Sequence, residues 1–145
     1  MDSNLSTLTI PVKQAKDWAK EWQTANTNCA KAFLIPASDL IAMLTEMGVV
    51  TKDAKTGTLT VGSTVDQGIR AYVGINPDNK KRGMAEGYGN GLFLVGTQDV
   101  KGVHKDIVEG NTGVDLSKMV GTGVYDFIRP CPSNCDITSP LYDPK

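Results

Sequence analysis

The sequence has little of several residue types on which catalytic sites and partner binding depend. Among 145 residues there are one histidine and three cysteines, and aromatic residues make up 6%. No apolar run approaches the roughly 20 residues that a membrane helix needs. Fifteen basic residues against 16 acidic ones give a formal net charge of -1. So balanced a charge offers no electrostatic attraction for a nucleic acid or an anionic membrane, and we expect neither partner.

Length and composition predict one globular domain, residues 1 to 145, with an irregular Pro- and Cys-containing tail over residues 129 to 145. A chain of this size buries roughly two-thirds of its unfolded surface, so it needs no metal or disulfide to fold. Residues 1 to 10 lack the basic and apolar regions of a secretory signal, which predicts a cytoplasmic protein. In that compartment, reduced thiols are the expected state of the cysteines.

Apolar residues at helical spacing predict a first helix between residues 11 and 25. They form one stripe, which comprises Val12, Ala15, Trp18, Ala19, Trp22 and Ala25. Trp18 and Trp22 lie one turn apart on this stripe. We therefore expect both tryptophans to be core residues and not a platform on which a ligand stacks.

A second helix and several strands are predicted after it. Ser38 is the expected N-cap of the second helix, and Gly48 ends it. Short apolar or alternating runs predict strands at residues 31–35, 68–75, 92–97, 102–108 and 124–128, with a turn or small hairpin over 51–64. In the 68–75 strand, Ile69, Ala71, Val73 and Ile75 point one way, as in a half-buried antiparallel strand.

This order of elements predicts an α+β fold. Two N-terminal helices are expected to pack on one face of a mainly antiparallel sheet of about four to five strands.

The two C-terminal cysteines are the most distinctive chemical feature. Cys131 and Cys135 are spaced like two thiolate ligands of zinc, and Cys29 and His104 could complete a Cys3His set. The alternatives are free thiols in a folded tail or a disulfide between Cys131 and Cys135. Free thiols are the favoured interpretation, because Cys29 and His104 are each isolated in the sequence.

A cysteine nucleophile assisted by His104 is the one enzyme type that the side chains readily permit, and Arg129, two residues before Cys131, could lower the pKa of that thiol. The sequence places His104 beside neither thiol. The carboxylates are scattered, without the spacing of an acid/base pair or a metal triad. The sequence therefore nominates no catalytic residue and no cofactor other than a zinc ion.

One loop region offers candidate partner-binding residues. Lys80, Lys81 and Arg82 form the local basic cluster, and Tyr88 lies in the glycine-rich stretch 83–91. That stretch lacks a Gly-Lys-Ser/Thr ending and leads into a strand, which excludes a phosphate-binding loop at a helix start. The interpretation is a hairpin loop that could contact a partner.

Several short segments resemble a group of small bacterial proteins of unknown function. They are residues 33–36 (FLIP), 69–74 (IRAYVG), 92–96 (LFLVG), the Cys-Pro-x-x-Cys tail 131–135, and 139–141 (SPL). The resemblance implies a bacterial protein whose cysteine tail is a family feature. It implies no activity and no catalytic residue.

By elimination, the sequence favours a non-enzymatic cytoplasmic binding or interaction module for a protein or small-molecule partner, a function with which a homodimer is compatible. The first alternative is a small zinc-binding protein using Cys131 and Cys135. The second is a thiol-dependent redox protein or enzyme using the same pair.

Overall fold

The computed structural model describes residues 8–62, 67–76, 90–117, 119–130 and 135–142. Two helices and eight strands follow one another along these residues: α1 (Val12–Ala25), β1 (Phe33–Leu34), α2 (Ala37–Glu46), β2 (Val50–Lys52), β3 (Leu59–Val61), β4 (Gln67–Ile75), β5 (Asn90–Val100), β6 (Val103–Asp106), β7 (Val124–Tyr125) and β8 (Arg129–Pro130). All strand pairs are antiparallel, so the predicted α+β class is confirmed. No helix in the described ranges is both long and apolar enough to cross a membrane.

The central strand of the largest sheet is β5. On one side it pairs with the whole of β4, from Gln67 opposite Gln98 to Ile75 opposite Asn90. On its other side it pairs with β6 and then with β7. Residues 94–97 are buried, as expected of a strand that is apolar at nearly every position and has neighbours on both sides.

Helix α2 covers one face of this sheet and forms the core with it. Met43 is 1% exposed and clusters with Met47, Leu94 and Ile128. Gly96 makes this approach possible, because a Cβ built there would lie 2.7 Å from Cε of Met47. The predicted N-cap Ser38 lies inside α2, since Pro36 occupies the position before the first turn.

Two small antiparallel pairs complete the described part of the fold. The hairpin predicted over residues 51–64 is confirmed by the pairing of β2 with β3. Strand β1 pairs with β8, and Phe33 lies opposite Pro130. Proline is tolerated there because this pair is short and lies at an edge, where a missing N–H removes little.

The prediction that both tryptophans belong to the core is wrong. Trp18 is 55% exposed and Trp22 is 45% exposed, whereas Gln23 is the buried residue of α1. Ala15 and Ala19 are half-buried. These residues are four apart and share one side of the helix. Of these residues, Ala19 and Gln23 line a cleft together with C-terminal residues such as Leu141, so this side of the helix and not the indole rings faces that segment.

The apolar row of β4 is also more exposed than its alternating pattern predicts. Ile69 is 38% exposed, Val73 is 75% exposed and Ile75 is 68% exposed. The alternation itself is correct, because Ile69, Val73 and Ile75 lie opposite residues 96, 92 and 90 of β5, all on the face that α2 covers. Helix α2 contacts β5 on that face and leaves the row on β4 open.

Candidate functional site

A cleft of about 350 Å³ lies between α1, β1 and residues 135–142. We call it the tail cleft. Its walls include Ala19 and Gln23 from α1, Phe33 and Leu34 from β1, and Leu141 and Tyr142 from the C-terminal segment. A mostly apolar lining with a few polar groups is typical of ligand pockets, which measure roughly 300–1,000 Å³. The tail cleft has the size and lining of a site for a small ligand.

Two side-chain contacts fix the C-terminal wall of the tail cleft. Nε2 of Gln23, a residue only 7% exposed, donates a hydrogen bond of 3.0 Å to the carbonyl oxygen of Leu141. Nζ of Lys31 lies 4.6 Å from the centroid of the Tyr142 ring, within cation–π range. The C-terminal segment is thus attached both to α1 and to the residues just before β1.

A turn that begins at Asp136 shapes the same wall. Oδ1 of Asp136 accepts hydrogen bonds from the hydroxyl of Thr138 at 2.6 Å and from its backbone N–H at 3.0 Å. The Asp136 carbonyl accepts from the N–H of Ser139 at 3.1 Å. The Thr138 hydroxyl, followed by its backbone N–H, lowers the pKa of the Asp136 carboxyl below its ordinary value.

This lowered pKa predicts how the turn responds to acid. The pKa of Asp136 is lower in the folded chain than in the unfolded chain, where an aspartate has a pKa of about 3.9. The ionised carboxylate therefore stabilises the folded state fully above the unfolded pKa, and this stabilisation is lost as pH falls through the folded pKa. Substituting Thr138→Val removes the hydroxyl donor, so we expect the pKa of Asp136 to rise towards its ordinary value. Carboxyl carbon NMR during a pH titration measures this directly.

Ser139→Ala is the matched control, because the Ser139 hydroxyl bonds the N–H of Leu141 and not Asp136. Equal pKa values for Asp136 in the wild-type chain and in Thr138→Val would contradict this account of the turn.

Among the predicted cysteine and histidine ligands that the structure describes, Cys29, His104 and Cys135, only Cys135 lines the tail cleft. Cys135 is disulfide-bonded and Cys29 is a half-buried free thiol, so the favoured interpretation of a free thiol does not hold at Cys135. Cys131 lies outside the described residues. A disulfide sulfur is not a thiolate, and zinc ligation by Cys135 would first require reduction.

The structure places His104 elsewhere, on β6 at the outer part of the sheet. Its Nε2 lies 3.9 Å from Oδ2 of Asp99, and its side chain is 48% exposed. Within the described ranges, no three His, Cys, Asp or Glu side chains are grouped so as to hold a metal ion. The remaining candidates, Lys80, Lys81, Arg82 and Tyr88, lie outside those ranges.

A polar network that the sequence did not reveal crosses the sheet from β4 to β6. Asp106 accepts hydrogen bonds from Nη1 of Arg70 and from the hydroxyl of Tyr72. Nη2 of Arg70 donates a hydrogen bond of 2.7 Å to the carbonyl oxygen of His104. Its hydrogen bond with Tyr72, and next the charge of Asp106, raise the pKa of Arg70. The network ties two strands together across β5 and leaves the charge of Arg70 compensated.

Sequence reasoning also missed Gln23 and Leu141 as parts of the tail cleft. Gln23 and Leu141 are 118 residues apart in the chain, and a polar residue within a helix gives no signal of which segment it contacts. The one available signal was that Cys135, which the sequence did single out, belongs to the same C-terminal segment as Leu141.

Comparison with protein-family models, with curated protein sequences and with solved structures finds no match to this chain, so the resemblance to a bacterial group stays a prediction.

Proposed function

We propose that the chain is a non-enzymatic binding module whose ligand site is the tail cleft. The observation that carries this proposal is a cleft of about 350 Å³ with a largely apolar lining. Such a site suits a ligand with an apolar body and one polar group, since the apolar surface supplies affinity and the polar group fixes orientation.

The charged side chains in the lining support binding over catalysis. Lys31 lies against the Tyr142 ring, and Asp136 accepts hydrogen bonds from Thr138. Both groups therefore stabilise the wall of the tail cleft. A general acid or base must instead be free to reach a substrate proton, and we assign neither group that role. Cys135 is held in a disulfide and offers no thiolate nucleophile in this state.

The disulfide at Cys135 indicates in which cellular compartment the protein resides. Disulfides persist mainly in oxidising compartments and are rare in the cytosol. We infer that the oxidised form belongs to an oxidising environment, against the cytoplasmic location expected from the sequence. Thiol trapping of the chain in its native cells tests this, and Cys135 trapped fully as a free thiol would restore the cytoplasmic assignment.

Filling the tail cleft tests the binding function. We use anilinonaphthalene sulfonate, a probe with an apolar body and an anionic group, and expect saturable fluorescence enhancement with one site per chain. Substituting Ala19→Trp places an indole ring in the tail cleft. Since that ring occupies the space of the ligand, we expect the dissociation constant to rise by about tenfold or more.

Ala15→Trp is the matched control, because Ala15 is also half-buried on α1, one turn earlier, and does not line the tail cleft. Circular dichroism verifies that both variants remain folded. Probe binding that is unsaturable, or that both variants weaken equally, would place the apolar binding surface elsewhere.

A further inference from the structure

Strand β4 is a long edge strand of the largest sheet. Over nine residues it pairs with β5, and no other strand of the described ranges pairs along its outer side. An edge strand presents backbone N–H and C=O groups that can pair with another chain. Residues 69, 71, 72, 73 and 75 are exposed, so the side chains of this strand are open to solvent over most of its length.

Three devices that commonly prevent edge pairing are absent from β4. Natural edge strands carry lysines, prolines or bulges. Strand β4, with the sequence QGIRAYVGI, contains neither lysine nor proline, and its pairing with β5 runs without a break. Its one charged side chain, Arg70, extends across β5 to Asp106 and therefore points away from the open edge.

The sequence of β4 is nearly symmetric about Ala71. Glycines lie three positions before and after it, at Gly68 and Gly74, and apolar residues lie two positions away, at Ile69 and Val73. Arg70 and Tyr72 flank Ala71. A segment with this symmetry suits pairing with itself, because an antiparallel pair related by a two-fold axis sets position +n opposite position −n.

We propose that this edge binds a second copy of the chain, with the two β4 strands antiparallel and Ala71 on the two-fold axis. The two four-stranded sheets then join into one continuous sheet. Ile69 of each copy lies opposite Val73 of the other, so the apolar rows that α2 leaves open contact each other side by side. This dimer is a separate inference and does not depend on ligand binding in the tail cleft.

Charge repulsion favours the register with Ala71 on the two-fold axis over the register that is shifted by one residue. With Arg70 on the axis, two guanidinium groups would lie opposite each other, and like charges in directly opposed positions are unfavourable. With Ala71 on the axis, Arg70 lies opposite Tyr72 of the second copy, and each Arg70 keeps its ion pair with Asp106. No like charges then face each other along β4.

The test is sedimentation equilibrium on the full chain and on two charge variants, Ala71→Lys and Ala71→Glu. We expect a dimer for the wild-type chain. Each variant alone sets two like charges against each other on the axis, so its dimer dissociation constant rises by about tenfold or more. Mixing the two variants in equal amounts sets opposite charges on the axis and restores the dimer.

Val103→Lys is the matched control, because Val103 is 59% exposed on β6, away from the β4 edge, and this variant should dimerise like the wild-type chain. Circular dichroism confirms folding of every variant. A wild-type chain that stays monomeric up to its solubility limit overturns the dimer. A dimer that neither variant weakens places the interface elsewhere, and failure of the mixture to re-form the dimer overturns the register about Ala71.

Discussion

Substituting Gly123→Ala is expected to remove a large part of the stability of this chain. Gly123 has a φ of +80°, and a Cβ built on it collides with the carbonyl oxygen of Ile107 and lies 3.0 Å from Cα of Val108. The left-handed conformation alone costs roughly 1–2 kcal/mol with a side chain, and overpacking against backbone adds about 1–3 kcal/mol. We expect the free energy of unfolding to fall by about 3 kcal/mol or more, whereas its total for a typical domain is about 5–15 kcal/mol.

The reason for the close approach is the path of the chain into β7. The N–H of Glu109 bonds the carbonyl of Thr122 at 2.9 Å, which closes the loop between them just before β7 begins. Gly123 then passes directly over the backbone of Ile107. A side chain at residue 123 would push β7 away from β5, so the effect extends beyond the loop.

Urea denaturation of the two alanine variants Gly123→Ala and Gly121→Ala measures this effect. Gly121 also has a positive φ, of +58°, but nothing lies within 4 Å of a Cβ built there. Gly121→Ala should therefore cost only the conformational part, roughly 1–2 kcal/mol. If both variants lost the same free energy of unfolding, the contact with Ile107 would carry no cost. The backbone conformation alone would then account for both losses.

Local patterns predicted the fold class well, because they depend on the chain segment itself. The apolar run over residues 92–97 identified β5 as a strand, and alternation from Ile69 to Ile75 identified β4. These periodicities also say which side chains share a face, and the structure confirms this for β4. They cannot say how far a covering helix reaches, so the row on β4 was expected to be buried and is open.

Local periodicity also cannot show which side of a helix packs against the protein. This explains why the sequence predicted buried tryptophans and missed the tail cleft. A helical stripe is defined by spacing, but which edge of it faces the protein depends on the segment that packs there. For α1 that segment comes from the C-terminus, through Leu141. The buried contact therefore falls on Ala19 and Gln23, with Trp18 and Trp22 at the flank. A contact between residues more than a hundred positions apart cannot be predicted from local periodicity.

Substituting Met43→Ala is the second change with a large expected effect. Met43 is 1% exposed and lies between α2 and the sheet, against Met47, Leu94 and Ile128. Removing its side chain leaves a cavity that the two elements can only partly close. We expect a loss of about 2–5 kcal/mol in the free energy of unfolding, measured by urea denaturation.

Ile41→Ala is the matched control on the same helix, because Ile41 is 42% exposed and loses less contact on truncation. We expect it to cost less than about 1 kcal/mol. Binding of anilinonaphthalene sulfonate below the unfolding transition should be unchanged in both variants, since Met43 and Ile41 do not line the tail cleft. If Met43→Ala weakened probe binding in the folded state, the core under α2 and the tail cleft would be coupled, through Ile128 and the neighbouring strand β8 that pairs with β1.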